Sequence, residues 1–172
     1  MRQNRLMRAI LIVISSMLLA ACYPDLDWRE VRSEDGGFSV LLPSKPRLET
    51  QPLPAAKFPT QLHQWSSKAR KTAFAIGYAD LPQSGSDAVE GMRDVLIRNI
   101  SGKVISNMPI DVNGMPGRDV VAEGRIGDSV VELRLRSVTG KGRIYQLAVL
   151  GPREDFQPSE IETFFLSFKA NP

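Results

Sequence analysis

The sequence predicts an α+β fold: a mainly antiparallel β-sheet flanked by helices, within a single domain. Three observations predict it. Two alternating runs, 119–126 and 130–136, are joined by Gly127-Asp128, a two-residue hairpin signal. Apolar residues recur at helical spacing in two stretches, Val89/Met92/Leu96/Ile100 and Ile161/Phe164/Phe165/Phe168, each one face of a helix. The chain has 172 residues, and the roughly 150 that follow its N-terminal apolar segment suffice for one sizeable core.

That N-terminal segment comes first in chain order. Arg2, Arg5 and Arg8 precede an apolar run from Ala9 to Leu19, broken only by Ser15 and Ser16, and Leu19-Ala20-Ala21-Cys22 follows. A positive n-region, a short apolar h-region and small residues before a cut make a secretory signal peptide. The run is too short for a spanning helix, which needs roughly 20 apolar residues. Leu-Ala-Ala-Cys resembles the lipobox of bacterial lipoproteins. That resemblance implies cleavage before Cys22, lipidation of Cys22 by a diacylglyceryl thioether, and an acylated amino group. Cys22 is the only cysteine, so no internal disulfide forms, and acylation removes a thiol that an oxidising compartment would attack. Residues 1–21 are thus read as a signal peptide, 22–36 as a lipidated tether and 37–172 as the globular domain. Tyr23 stands where an aspartate would signal retention in lipoproteins of this type, which points to the outer membrane, inner leaflet.

Removing residues 1–21 removes three arginines and no acid. Lys plus Arg falls from 22 to 19, matching the 19 Asp plus Glu. Nucleic-acid binding needs clustered excess positive charge, so that class is excluded. Lys68-Ala69-Arg70-Lys71 is the one local basic cluster, read as a solvated turn or as a contact to anionic lipid or a partner.

Phe38, Val40 and Leu42 begin the first core strand, ended by Pro43 and Pro46. Pro52, Pro54 and Pro59 confine any strand in 47–60 to an edge. Residues 61–65 and 72–80 form a hairpin around the basic turn. In the second of these strands Phe74, Ile76 and Tyr78 share one face, and Ala73, Ala75, Gly77 and Ala79 share the other. A face of small residues admits a helix or a ligand close to the sheet; these four are the candidate ligand-facing residues. Asp87 and Glu90 fit an acidic capping box, opening a helix over 87–101 that Gly102 stops. In the Gly127-Asp128 hairpin Val120, Ala122 and Gly124 face Leu135, Leu133 and Val131, and Asp119 falls opposite Arg136. Residues 144–150 are apolar on both faces, which predicts a central strand. Pro158 opens the final helix.

Gly37-Phe38-Ser39-Val40 with Pro43 and Pro46, Gly114-Met115-Pro116-Gly117-Arg118, Arg143-Ile144-Tyr145-Gln146-Leu147 and Phe165-Leu166-Ser167-Phe168 together resemble the PsbP-like α/β/α sandwich proteins over about residues 36–169. That superfamily includes a photosystem II extrinsic subunit, a nuclear Ran-binding protein and bacterial lipoproteins of the DcrB and LpqN type. The resemblance implies a binding or assembly role without catalysis, and no family site residue carries over by position. The residues themselves also read as structure: Asn113-Gly114 and Pro116-Gly117 as turn dipeptides, Tyr145 and Phe165 as core.

Catalytic chemistry finds few candidates. His63 is the single histidine, where triads and zinc sites lean on that residue. Ser84-Gly85-Ser86 lacks the flanking glycines of a nucleophile elbow, and no Gly-rich phosphate loop is present. The expectation is therefore no catalytic residue, no metal and no cofactor. Three functions compete. The first is a non-catalytic lipoprotein anchored to the bilayer through acylated Cys22, facing the periplasm and working with an envelope protein. The second is a carrier of a small apolar or lipid-like ligand, favoured by an apolar pocket of roughly 300 Å³ or more. The third is an atypical hydrolase around His63, favoured by a carboxylate and a serine beside that ring.

Overall fold

The computed structural model describes residues 26–53, 58–81 and 86–170. Ten strands and two helices follow in the order β1 (Arg29–Ser33), β2 (Phe38–Leu42), β3 (Arg47–Pro52), β4 (Gln61–Ala69), β5 (Thr72–Asp80), α1 (Ser86–Asn99), β6 (Lys103–Val112), β7 (Met115–Ile126), β8 (Ser129–Gly140), β9 (Arg143–Gly151), α2 (Pro158–Ser167) and β10 (Lys169–Ala170). A short 3₁₀ turn, Arg153–Asp155, precedes α2.

Seven strands make one antiparallel sheet in the order β3-β4-β5-β9-β8-β7-β6, and β1-β2-β10 make a second, small sheet. The apolar strand β9 occupies the middle of the large sheet, as its two-faced hydrophobicity requires. Register in the β7–β8 hairpin is the expected one: Gly124 opposite Val131, Ala122 opposite Leu133, Val120 opposite Leu135, and Asp119 opposite Arg136. The last pair closes at 2.7 Å between Arg136 Nη2 and Asp119 Oδ2.

The large sheet divides two cores. On one face Phe74, Ile76, Tyr78, Tyr145, Leu147 and Val149 pack against β2 and α2 through Phe38, Val40, Leu42, Ile161, Phe164, Phe165 and Phe168. Aromatic edges hold this side: Phe38 meets Trp65, Tyr78 and Tyr145 at centroid distances of 5.4, 6.1 and 6.0 Å. The Tyr145 hydroxyl donates to the Gly36 carbonyl at 2.8 Å, tying the β1–β2 turn down. On the other face α1 lies across the sheet. Its N-terminal half, through Ala88 and Met92, packs on Leu62, Ala79 and Ile144. Its C-terminal end, through Ile97 and Ile100, packs on Ala122, Val131 and Leu133 at the opposite end of the strands.

Several sequence expectations need correction. Residues 22–36 are not all tether: β1 pairs with β2, Val31 is buried, and Leu26 and Trp28 pack on the core. The domain therefore begins by residue 26 rather than 37. Pro116-Gly117 is no turn; both residues lie in β7, and Asn113-Gly114 alone make the bend. β6 is a strand that the sequence pattern does not show. It is exposed along most of its length, carries Pro109 and has a bulge between Val104 and Ser106, as suits an edge strand. In α1 the buried positions are Ala88, Met92 and Ile97, with Ile100 buried just past its end and Val89 and Leu96 half-buried, so the apolar stripe is turned slightly from the expected one.

Candidate functional site

Because α1 crosses the sheet diagonally, two corners of that face are left open among the described residues. The larger is a cleft of about 660 Å³ between the first turns of α1 and the strand ends of β7 and β8. Val89, Leu81, Pro116 and Val120 give it apolar walls, and Ser137 and Thr139 add hydroxyls. Arg93 and Arg118 supply positive charge, and among the described residues Glu90 is the one lining carboxylate; Arg143 also borders the cleft, but its guanidinium lies over the Tyr78 ring on the opposite face, 5.5 Å from the centroid. Two of the arginines are held from outside the cleft. Arg93 pairs with Asp94 at 2.9 Å, and Arg143 Nε meets Asp80 Oδ1 at 2.7 Å. That hydrogen bond to Asp80 raises the proton affinity of the Arg143 guanidinium above its ordinary value, outweighing partial burial. Arg118 has no ion-pair partner among the described residues. The cleft can hold a small ligand and offers an anionic group one uncommitted guanidinium.

The second uncovered corner, at the other end of the same face, is a shallower depression of about 280 Å³. Ala73, Val131 and Leu150 line it, with Lys68 and Lys71 beside them.

The four small residues of β5 are spread among these features. Ala79 is buried in the cluster with Ala88 and Met92, which is the helix packing a small face allows. Gly77 lies beneath Leu62, whose methyl a Cβ would strike. Ala75 is half-buried. Ala73 lines the smaller depression. None of the four lines the larger cleft. Cys22 and the signal segment lie outside the described residues.

His63 sits on the opposite face, against the other core. Its ring stacks on Tyr78 at 4.9 Å, and its Nδ1 lies 3.0 Å from Thr50 Oγ1. No carboxylate or serine meets the ring among the described residues. Burial first, and the charge of Asp35 second, raise the Tyr78 phenol above its ordinary value of 10.0. Among the described residues no three His, Cys, Asp or Glu side chains gather as a metal site, and no helix is long and apolar enough to cross a membrane.

No protein-family model matches the chain, and no curated protein does. Among solved structures, the cyanobacterial PsbP (CyanoP) of Synechocystis superposes with a TM-score of 0.57 over 88% of this chain and 98% of that one, at 13% identity. The fold is PsbP-like. A Pseudomonas aeruginosa protein (TM-score 0.45, 14% identity, 78% of this chain and 90% of that one) and a Bacteroides thetaiotaomicron protein (0.49, 13%, 84% and 48%) are more distant. In this PsbP-like frame the cleft draws its lining from α1, β6, β7, β8 and the β8–β9 turn. Arg93 and Arg118 come from separate segments, which is why spacing along the chain gave no sign of them.

Proposed function

We propose that the protein is a bilayer-anchored lipoprotein facing the periplasm that acts by binding, not by catalysis. The observation that carries this reading is the arginine-led apolar segment ending in Leu19-Ala20-Ala21-Cys22. Acylation of Cys22 would tether the domain, and Tyr23 in place of an aspartate favours the outer membrane. An envelope protein is the partner this reading requires, and no nucleic acid is involved, because the mature chain carries no excess of positive charge.

The test has two arms. Metabolic palmitate labelling should mark the wild type and not Cys22→Ser; equal labelling ends the anchor reading. Crosslinking of the lipidated protein in native envelopes should then trap a specific protein adduct. An envelope yielding only self-adducts argues against an assembly role.

A second reading rests on the cleft. At about 660 Å³ it falls in the size range of small-molecule sites, which favours a carrier. Its lining is mixed, so the ligand it suits has an apolar body and an anionic group rather than being apolar throughout.

A further inference from the structure

We propose that the end of the large sheet bearing the β4–β5 turn and the β7–β8 tip is a docking surface for the anionic bilayer to which Cys22 would be tied. This deepens the anchor reading and rests on it. Three separate observations meet at that end.

The first is where the chain enters the domain. Arg29 pairs with Leu42 in the β1–β2 ladder. The Asp27 amide donates to the Pro43 carbonyl at 3.0 Å, and the Ser44 hydroxyl donates to the Lys68 carbonyl at 2.8 Å. The first described residues therefore lie against the β4–β5 turn. Four residue steps separate Cys22 from Leu26, a reach of at most about 14 Å even fully extended. The strands themselves run roughly 27 Å from this end to the other. A tether that short holds this end, and not the other, beside the lipid.

The second is charge. Lys45 and Lys68 are exposed and have no ion-pair partner among the described residues. Lys71 is only 3.7 Å from Asp155, and Arg125 spends its guanidinium on the Asp128 carbonyl. The acids at this end are largely engaged: Glu160 pairs with Arg70, Asp155 with Lys71 and Asp27 with Arg29. Glu154, Glu162 and the Asp128 carboxylate have no ion-pair partner among the described residues, so the basic attraction at this end rests on Lys45 and Lys68 reaching the headgroups beyond them. A basic side chain near an anionic surface is worth about 1 kcal/mol.

The third is exposed apolar surface. Ile126 and Val130 flank the Gly127-Asp128 turn and are 50% and 55% exposed. Behind them lies the depression walled by Ala73, Val131 and Leu150 between Lys68 and Lys71. Interfacial binding draws on apolar burial and basic attraction together, and lysine stems can lie along apolar surface while the ammonium reaches the headgroups. In this orientation the cleft beside the start of α1, which lies toward the opposite end, faces away from the bilayer.

The full-length lipidated protein, reconstituted into vesicles of phosphatidylethanolamine and phosphatidylglycerol, tests this. An environment-sensitive fluorophore is placed at Val130→Cys or, at the far end, at Glu34→Cys, with nitroxide-headgroup lipid as quencher. Quenching at position 130 well above that at 34 is the expected result. For Lys68→Gln the docked-to-undocked ratio should fall about fivefold, with no change in phosphatidylcholine vesicles. Flotation with the vesicles and the mass of the N-terminal peptide report anchoring separately. Acylated, floating protein quenched equally at both positions overturns the docking surface while the anchor stands. Protein that carries no acyl chain and does not float ends both.

Discussion

A Cβ placed on Gly124 would collide with the carbonyl oxygen of Ile100. The same oxygen accepts a hydrogen bond from the Arg125 amide at 2.6 Å. The C-terminus of α1 is therefore docked on the β7 backbone itself, at a point where only glycine leaves room. Gly124→Ala has to push the helix end away from the strand, an overpacking that costs about 1–3 kcal/mol. Urea unfolding should show it. A loss below about 0.5 kcal/mol would mean that the helix end yields freely.

The same helix end ends in a residue ill-suited to its backbone. The Gly102 amide reaches back to the Ile97 carbonyl at 2.8 Å and the Ser101 amide to Arg98 at 2.9 Å, the paired bonds of a Schellman cap. The left-handed position in that cap belongs to Ser101, at φ 48°, not to Gly102. Ser101→Gly should stabilise the protein, by up to about 1 kcal/mol, because glycine enters that region without the Cβ penalty. A lowered thermal midpoint would contradict this.

Phe164 is fully buried and meets Phe74 edge-on at 5.5 Å. Phe164→Ala should cost about 3–5 kcal/mol, read as a shift of the urea midpoint at unchanged slope. A shift worth less than about 1 kcal/mol would show that α2 repacks without it.

These sites mark what the sequence could and could not disclose. Ile161, Phe164, Phe165 and Phe168 announced α2 because one helix face carries the whole apolar signal. The β7–β8 register was legible because a one-residue slip would bury Glu132, Arg134 and Arg136 in the α1 core. Even so, Glu132 is buried on the other side, held by Arg134 at 2.6 Å and Arg153 at 3.5 Å, a network that only tertiary contact creates. β1 escaped notice because five residues on a sheet edge expose all but Val31 and Ser33. β6 escaped because an edge strand with a bulge and a proline has no alternation to read. The cleft escaped because Arg93 and Arg118 are brought together by the oblique path of α1, which no local pattern encodes.

Stability should also respond to alkaline pH through Tyr78. Burial and then Asp35 raise its phenol above 10.0, so the folded state holds that proton more tightly than the unfolded chain. Its contribution is fully present below the ordinary value and is lost as pH rises from there through the folded value. Urea midpoints of the wild type should therefore fall more steeply between pH about 9 and about 11 than those of Tyr78→Phe. Parallel slopes would place the titrating group elsewhere.

The carrier reading stands or falls on the cleft. Arg118 is exposed and unpaired among the described residues, so Arg118→Gln should leave stability within about 0.5 kcal/mol of wild type. Thr139 lies on the wall of the cleft, half-buried, and tryptophan there would fill part of its volume. Anilinonaphthalene sulfonate, an aromatic body with one anionic group, matches the apolar walls and the free guanidinium. The folded protein should bind it at one site, more weakly in Arg118→Gln and in Thr139→Trp. The two variants separate charge from shape. Loss in both, with circular dichroism unchanged, places the dye in the cleft. Equal binding by wild type and both variants puts it elsewhere, and the cleft then has no claim to be the ligand site of a carrier.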